Sequence, residues 1–171
     1  MDAVLRGDEA AVRSWLERGG RANTAREDGE VIGVTLLMDA ASQGHERVAA
    51  LLLQHGAEID QQDSGGSTAL TSAAYNGHER VVELLIRHGA DINLQDSNGW
   101  TALIIAANYS HERVVELLLQ RGADANLQKS DGWTALMLAA GFGHPAIVLR
   151  LLRAGADTKL RAADGKSALQ Q

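Results

Sequence analysis

The sequence contains no cysteine, which excludes a disulfide framework, a thiolate zinc site and a cysteine nucleophile. Aromatic residues are scarce, with three Trp, two Tyr and one Phe in 171 residues, although 45% of the chain is apolar. A core built from Leu, Ala and Val favours closely spaced helices over a large aromatic centre. No run of five like charges occurs, and 22 acidic residues against 16 basic ones give a formal charge of −6. That balance argues against nucleic acid or an anionic membrane as the principal ligand, because neither would meet a basic footprint. Long apolar runs are missing too. Met1 to Leu16 carries Asp2, Arg6, Asp8, Glu9 and Arg13, so it forms no signal sequence, and no stretch reaches the length of a bilayer span. An intracellular address, cytoplasmic or nuclear, is the expectation. Neither a G-x-S-x-G nucleophile motif nor a phosphate-cradling loop is present, so no catalytic residue, cofactor or metal is assigned.

What is present is a period. Thr35, Thr68, Thr101 and Thr134 fall 33 residues apart, followed by Ser167. Leu37, Leu70, Leu103, Leu136 and Leu169 keep the same register, as do the pairs Ala40-Ala41, Ala73-Ala74, Ala106-Ala107 and Ala139-Ala140. His45, His78, His111 and His144 follow, and Gly56, Gly89, Gly122 and Gly155 close each unit. A fixed period of this size marks a stacked array. Each threonine suits a helix N-cap, and the paired alanines allow a neighbouring helix to approach closely. A first short helix ends near Gly44, Gly77 or Gly143. A second starts after the histidine, with Val81, Leu84 and Leu85 on one face. One such pair cannot bury both faces, so stability must come from stacking, and function belongs on positions that do not repeat.

These residues resemble the ankyrin-repeat family, whose pattern has a D-x-x-G-x-T-P-L-H opening, a G-H between helices and a G-A-D-x-N close. Asp96 to Gln128 carries it as Asp96, Gly99, Thr101, Leu103, His111, Val114, Val115, Leu117, Leu118, Gly122, Ala123, Asp124 and Asn126. Complete units are expected at residues 30–62, 63–95, 96–128 and 129–161, with partial units at 1–29 and 162–171, all in one domain, 1–171. The resemblance implies an all-α solenoid of stacked antiparallel helix pairs with short β-hairpin-like fingers.

Departures from the pattern single out local features. Leu36, Ala69, Ala102 and Ala135 replace the family proline, and Met38, Thr71, Ile104 and Met137 replace the histidine after the leucine. Without that histidine the first helices are expected to start on the threonine caps alone. Ser110 replaces a turn glycine and Lys129 a leading aspartate, and both are expected to be weak points. Between Asn23 and Thr35 lie four more residues than between Asn93 and Thr101, so the first finger is longer, with Val31, Ile32 and Val34 as an apolar tip. Its alternatives are a tolerated insertion and a partner contact. Leu149-Arg150 exchanges the polar and apolar members of Glu83-Leu84 and Glu116-Leu117, behind Pro145 at a favoured first helical position. Leu151 and Leu152 are expected to be poorly shielded at the C-terminal end, with Arg150 laying its aliphatic stem over that uncovered apolar face and its charge in water.

Four histidines in register could suggest a metal array, but ligands must converge within about 4 Å of one ion, whereas stacked repeats keep equivalent atoms roughly 10 Å apart. They read as structural. Paired carboxylates such as Glu58 and Asp60 are finger residues, and Asn93 also matches the acceptor pattern of asparaginyl hydroxylases that act on ankyrin arrays. The aromatics carry more. Trp100 and Trp133 precede capping threonines, and Tyr75, Tyr109 and Phe142 lie near the ends of first helices; the resemblance implies that these five face the concave side, where the family binds partners. For the tryptophans the alternative is stacking on a neighbouring finger. The expected function is a non-catalytic module binding a partner protein or peptide across Tyr75, Trp100, Tyr109, Trp133 and Phe142, with no nucleic acid and no membrane insertion. The alternatives are a substrate-selecting segment of a larger enzyme or signalling protein, and a purely structural spacer.

Overall fold

The structure, a computed structural model, describes residues 2–170. By proximity the chain falls into two compact units, Met1–Asp91 and Ile92–Gln171. The first contains α1 (Asp2–Leu5), α2 (Glu9–Glu17), β1 (Ala25–Asp28), β2 (Val31–Thr35), α3 (Leu36–Ser42), α4 (Glu46–Gln54), α5 (Ala69–Tyr75) and α6 (Glu79–Arg87). The second contains α7 (Ala102–Asn108), α8 (Glu112–Gln120), α9 (Ala135–Gly141), α10 (Pro145–Arg153) and a 3-10 turn, Ala168–Gln170.

Both units are layered alike. In the first, α3 packs on α5 and α4 on α6; in the second, α7 packs on α9 and α8 on α10. The alanine pairs make this possible: Ala40, Ala41, Ala73 and Ala74 in one unit, and Ala106, Ala107 and Ala139 in the other, are fully buried. A larger side chain there would push the first helices apart, because interiors have no spare volume to absorb it. The second helices supply the aliphatic bulk through Leu52 and Leu85, and through Leu118, Ile147 and Leu151. Complete burial of Leu151 corrects the expectation that it would be poorly shielded, whereas Leu152 is 42% exposed.

Helix starts also differ from expectation. In all four first helices the threonine hydroxyl accepts an amide three residues on, at 3.1 to 3.2 Å. In α5 the replacement residue does more: the Thr68 amide donates to Thr71 Oγ1 at 2.8 Å, closing a reciprocal box. In α3 the Thr35 amide donates to Met38 Sδ at 3.4 Å. The threonines therefore act alone in α7 and α9 but not in α3 and α5.

The long first finger is a true antiparallel hairpin. Ala25 pairs with Thr35, Arg26 with Val34, Glu27 with Ile32 and Asp28 with Val31, so Gly33 is left as a bulge at φ +89°. Such a bulge needs the left-handed backbone that glycine adopts without a Cβ penalty. Arg26 then reaches onto α3, donating from Nε and Nη2 to the two oxygens of buried Asp39 at 3.0 and 2.7 Å. Ile32, 59% exposed, forms the tip with Val31.

Candidate functional site

The fingers are held to one another by side chains that the repeat supplies in register. Asn23 Oδ1 accepts the Glu58 amide at 2.7 Å, and Asp60 Oδ1 accepts the Asp91 amide at 3.0 Å. In the second unit Asn93 Oδ1 accepts the Asp124 amide at 2.9 Å and Asn126 Oδ1 the Asp157 amide at 2.7 Å. Asn93 thus has a structural task at the carbonyl of its own side chain. Within each finger an aspartate folds the turn: Asp63 Oδ1 accepts the Gly65 and Ser67 amides, and Asp96 Oδ1 those of Asn98 and Trp100. Gln95 and Gln128 brace the finger from behind by donating to carbonyls of Gly99 and Gly132 and of the following finger.

Lys129 cannot accept amides as Asp63 and Asp96 do, yet this finger is not left open. Asp131 takes over, accepting the Trp133 amide at 3.3 Å and the Lys129 ammonium at 2.9 Å. Burial pushes the Asp131 carboxyl up, but the Lys129 and Trp133 hydrogen bonds outweigh it and hold the group below the usual carboxylate range. Lys129 also stands 4.3 Å above the Trp100 ring. A cation over an indole face is attracted by the ring quadrupole, so Trp100 is engaged by the neighbouring finger and half-buried; Trp133 is half-buried as well.

The histidines join successive helix pairs. His45 Nε2 donates to the Leu5 carbonyl at 3.0 Å and His78 Nε2 to the Ser42 carbonyl at 2.9 Å. Each imidazole lies against a turn glycine so closely that a Cβ on Gly7 or Gly44 would come within 2.7 Å of Nδ1. In the register that sets Gly44 against His78, the residue corresponding to Gly44 for His144 is Ser110, not a glycine. Ser110 takes φ +62°, the one non-glycine residue with positive φ among the described residues. The His144 ring forms no hydrogen bond among the described residues and stacks on Phe142, with centroids 6.4 Å apart at 28°. Arg150, expected to keep its charge in water, instead places Nη2 3.6 Å from Glu112 and 3.7 Å from Glu116 on α8.

The other three aromatics expected on the concave side are exposed. Tyr75 ends α5 and is 50% accessible in the first unit; in the second, Tyr109 follows α7 and Phe142 follows α9, at 46% and 62%. Sequence reasoning missed the Arg26–Asp39 pair, which depends on how the long hairpin folds back, and the substitution of Asp131 for the missing aspartate at position 129. Among the described residues no three His, Asp or Glu side chains converge as a metal site would need, and no helix is long and apolar enough to cross a membrane.

Comparison with known proteins agrees with this architecture. The chain is similar to two rice proteins, the potassium channel AKT1 of Oryza sativa subsp. indica and that of subsp. japonica, at 41% identity over 64 residues in each case. The match spans 37% of this chain but 6% of either channel. A family model described as ankyrin repeats in three copies matches residues 1–96 and 82–162. Ankyrin repeats generally serve as protein–protein interaction modules and are typically not enzymes. With the period, the paired helices and the interlocking fingers on the page, the chain belongs to the ankyrin-repeat family.

Proposed function

We propose that the chain is a non-catalytic binding module that holds a partner protein or peptide on the concave side, where fingers meet first helices. The observation that supports this most is the exposure of three large aromatics at positions the repeat does not require: Tyr75 in the first unit, Tyr109 and Phe142 in the second. Water-exposed aromatic rings lose little entropy on contact and bury much area, which is why they dominate binding energy at interfaces. Trp100 and Trp133 contribute as the half-buried floor of their fingers. The test compares proteins retained from a host lysate by the unmodified chain with those retained by Tyr109→Ala and Phe142→Ala. Each substitution weakens capture of the same partner by about 1 to 3 kcal/mol while leaving the melting temperature nearly unchanged. Equal capture by both variants, or loss of the fold in both, refutes the assignment.

A second reading, a segment that selects substrate for a larger enzyme or signalling protein, is favoured by one comparison. The matching stretch is a small part of much longer channels in rice. A full-length reading frame carrying a catalytic or channel signature decides between the two.

A further inference from the structure

The tip of the first finger carries aliphatic side chains where the other fingers carry small or polar ones. The Ser64 amide donates to the Ile32 carbonyl at 2.8 Å, as the Ser130 amide does to Asn98 and the Ala163 amide to Asp131, at 2.9 and 2.7 Å. Ile32 therefore holds the place of Asn98 and Asp131, and Val31 that of Ser97 and Ser130. Packing requires neither: Ile32 is 59% exposed and Val31 36%. Along β1 successive side chains take opposite faces. Arg26, bound to Asp39 of α3, lies on the face towards that helix, and Asp28 lies with it, 3.3 Å away. Glu27 lies on the outward face with its cross-strand partner Ile32, and both are exposed. Glu30 is exposed at the turn, and neither it nor Glu27 enters an ion pair among the described residues.

We propose that this outward face of the first finger docks a basic, extended segment of a partner protein, with an aliphatic side chain of the segment on Ile32 and flanking lysine or arginine side chains meeting Glu27 and Glu30. Charge complementarity selects a basic occupant. The one cation of the hairpin, Arg26, is committed to Asp39 and Asp28 on the opposite face, so nothing in the hairpin offsets Glu27 and Glu30. The isoleucine adds what charge alone does not: a contact that excludes water, beside which ion pairs strengthen. An extended segment suits a two-stranded face, because its own side chains alternate and bring every second residue to one surface. Neighbouring fingers leave this face free. The next finger bonds to the edge of β2 at Ile32, and a finger set against β1 in the same manner would take the outer edge of that strand; the face between the edges is open in either case. A second copy of this chain offering the same tip would set carboxylates against carboxylates, and like charges across an interface disfavour that pairing. The surface uses none of the aromatic residues proposed for the concave side, so either assignment stands without the other.

The probe is a fluorescein-labelled peptide of about 12 residues, roughly twice the length of a common strand, with Val and Lys alternating. Controls are the same peptide with Ser for Val and with Glu for Lys. Fluorescence anisotropy with the full chain is expected to show saturable binding of the Val-Lys peptide, at least about tenfold tighter than either control and weakened by added salt. Ile32→Asn weakens it at least about tenfold; that substitution restores the residue type of Asn98, and circular dichroism checks that the fold is kept. Glu27→Lys with Glu30→Lys shifts the preference towards the glutamate peptide. Amide shifts in nuclear magnetic resonance spectra of the titrated chain centre on residues 25–35. Shifts centred elsewhere, equal binding of all peptides, binding of none, or indifference to Ile32→Asn overturns the proposal. So does a concentration-dependent dimer in sedimentation that Ile32→Asn dissolves, since the occupant would then be a second copy.

Discussion

Replacing Gly44 by alanine tests how the repeats are locked together, because two separable penalties meet there. The residue has φ +73°, and a Cβ would stand 2.7 Å from His78 Nδ1. The left-handed backbone costs an alanine about 1 to 2 kcal/mol. The imidazole must then move, loosening the 2.9 Å bond from His78 Nε2 to the Ser42 carbonyl, which is worth about 1 kcal/mol. Gly143 isolates the first penalty: it has φ +72°, yet nothing lies within 4 Å of its Cβ position. Urea unfolding is therefore expected to show Gly44→Ala losing about 2 to 3 kcal/mol and Gly143→Ala about 1 to 2. A double-mutant cycle of Gly44→Ala with His78→Ala removes any effect of position along the array, and a coupling of about 1 kcal/mol is expected. If the coupling is absent, or the two glycine variants unfold alike, the histidine is not the lock it is argued to be.

Ser110→Gly runs the same logic in reverse: relief of φ +62° stabilises the second unit by about 1 kcal/mol, and nuclear magnetic resonance finds the His144 imidazole proton newly hydrogen-bonded. No gain in the melting temperature counts against it. Arg26→Met leaves Asp39, 3% exposed, without its partner and is expected to cost about 3 kcal/mol or more, measured by denaturant midpoint; Arg26→Met with Asp39→Leu recovers most of that loss. The Asp131 carboxyl is held below its ordinary range by Lys129 and Trp133 against the opposing effect of burial, so its contribution is present above the unfolded-state value near 4 and vanishes as pH falls through the folded value. Asp131→Asn is thus less stable than the unmodified chain at pH 7, and the gap closes on acidification; a gap that persists at the acid end refutes the pairing.

Much of this architecture was legible because the repeat is redundant. Threonine caps, alanine pairs and closing glycines recur at one spacing, and local physics acts identically on each copy: a hydroxyl that caps Ala69–Tyr75 also caps Ala135–Gly141. That Tyr75, Tyr109 and Phe142 stand outside the repeating pattern was readable in the sequence, whereas their exposure is what the structure adds. What the tertiary structure alone decided lies where two distant segments meet and no period constrains them. Arg26 finds Asp39 only because a glycine bulge turns the hairpin back over α3. Arg150 finds Glu112 and Glu116 because helices one repeat apart lie side by side, turning a charge expected in water into a bridge. Asp131 rescues a finger whose own aspartate is missing because, two residues on, its carboxylate reaches both the ammonium of Lys129 and the amide of Trp133. Short-range preferences are written residue by residue and can be read one unit at a time, whereas a charge acquires its partner only when the stacked chain removes water from around it.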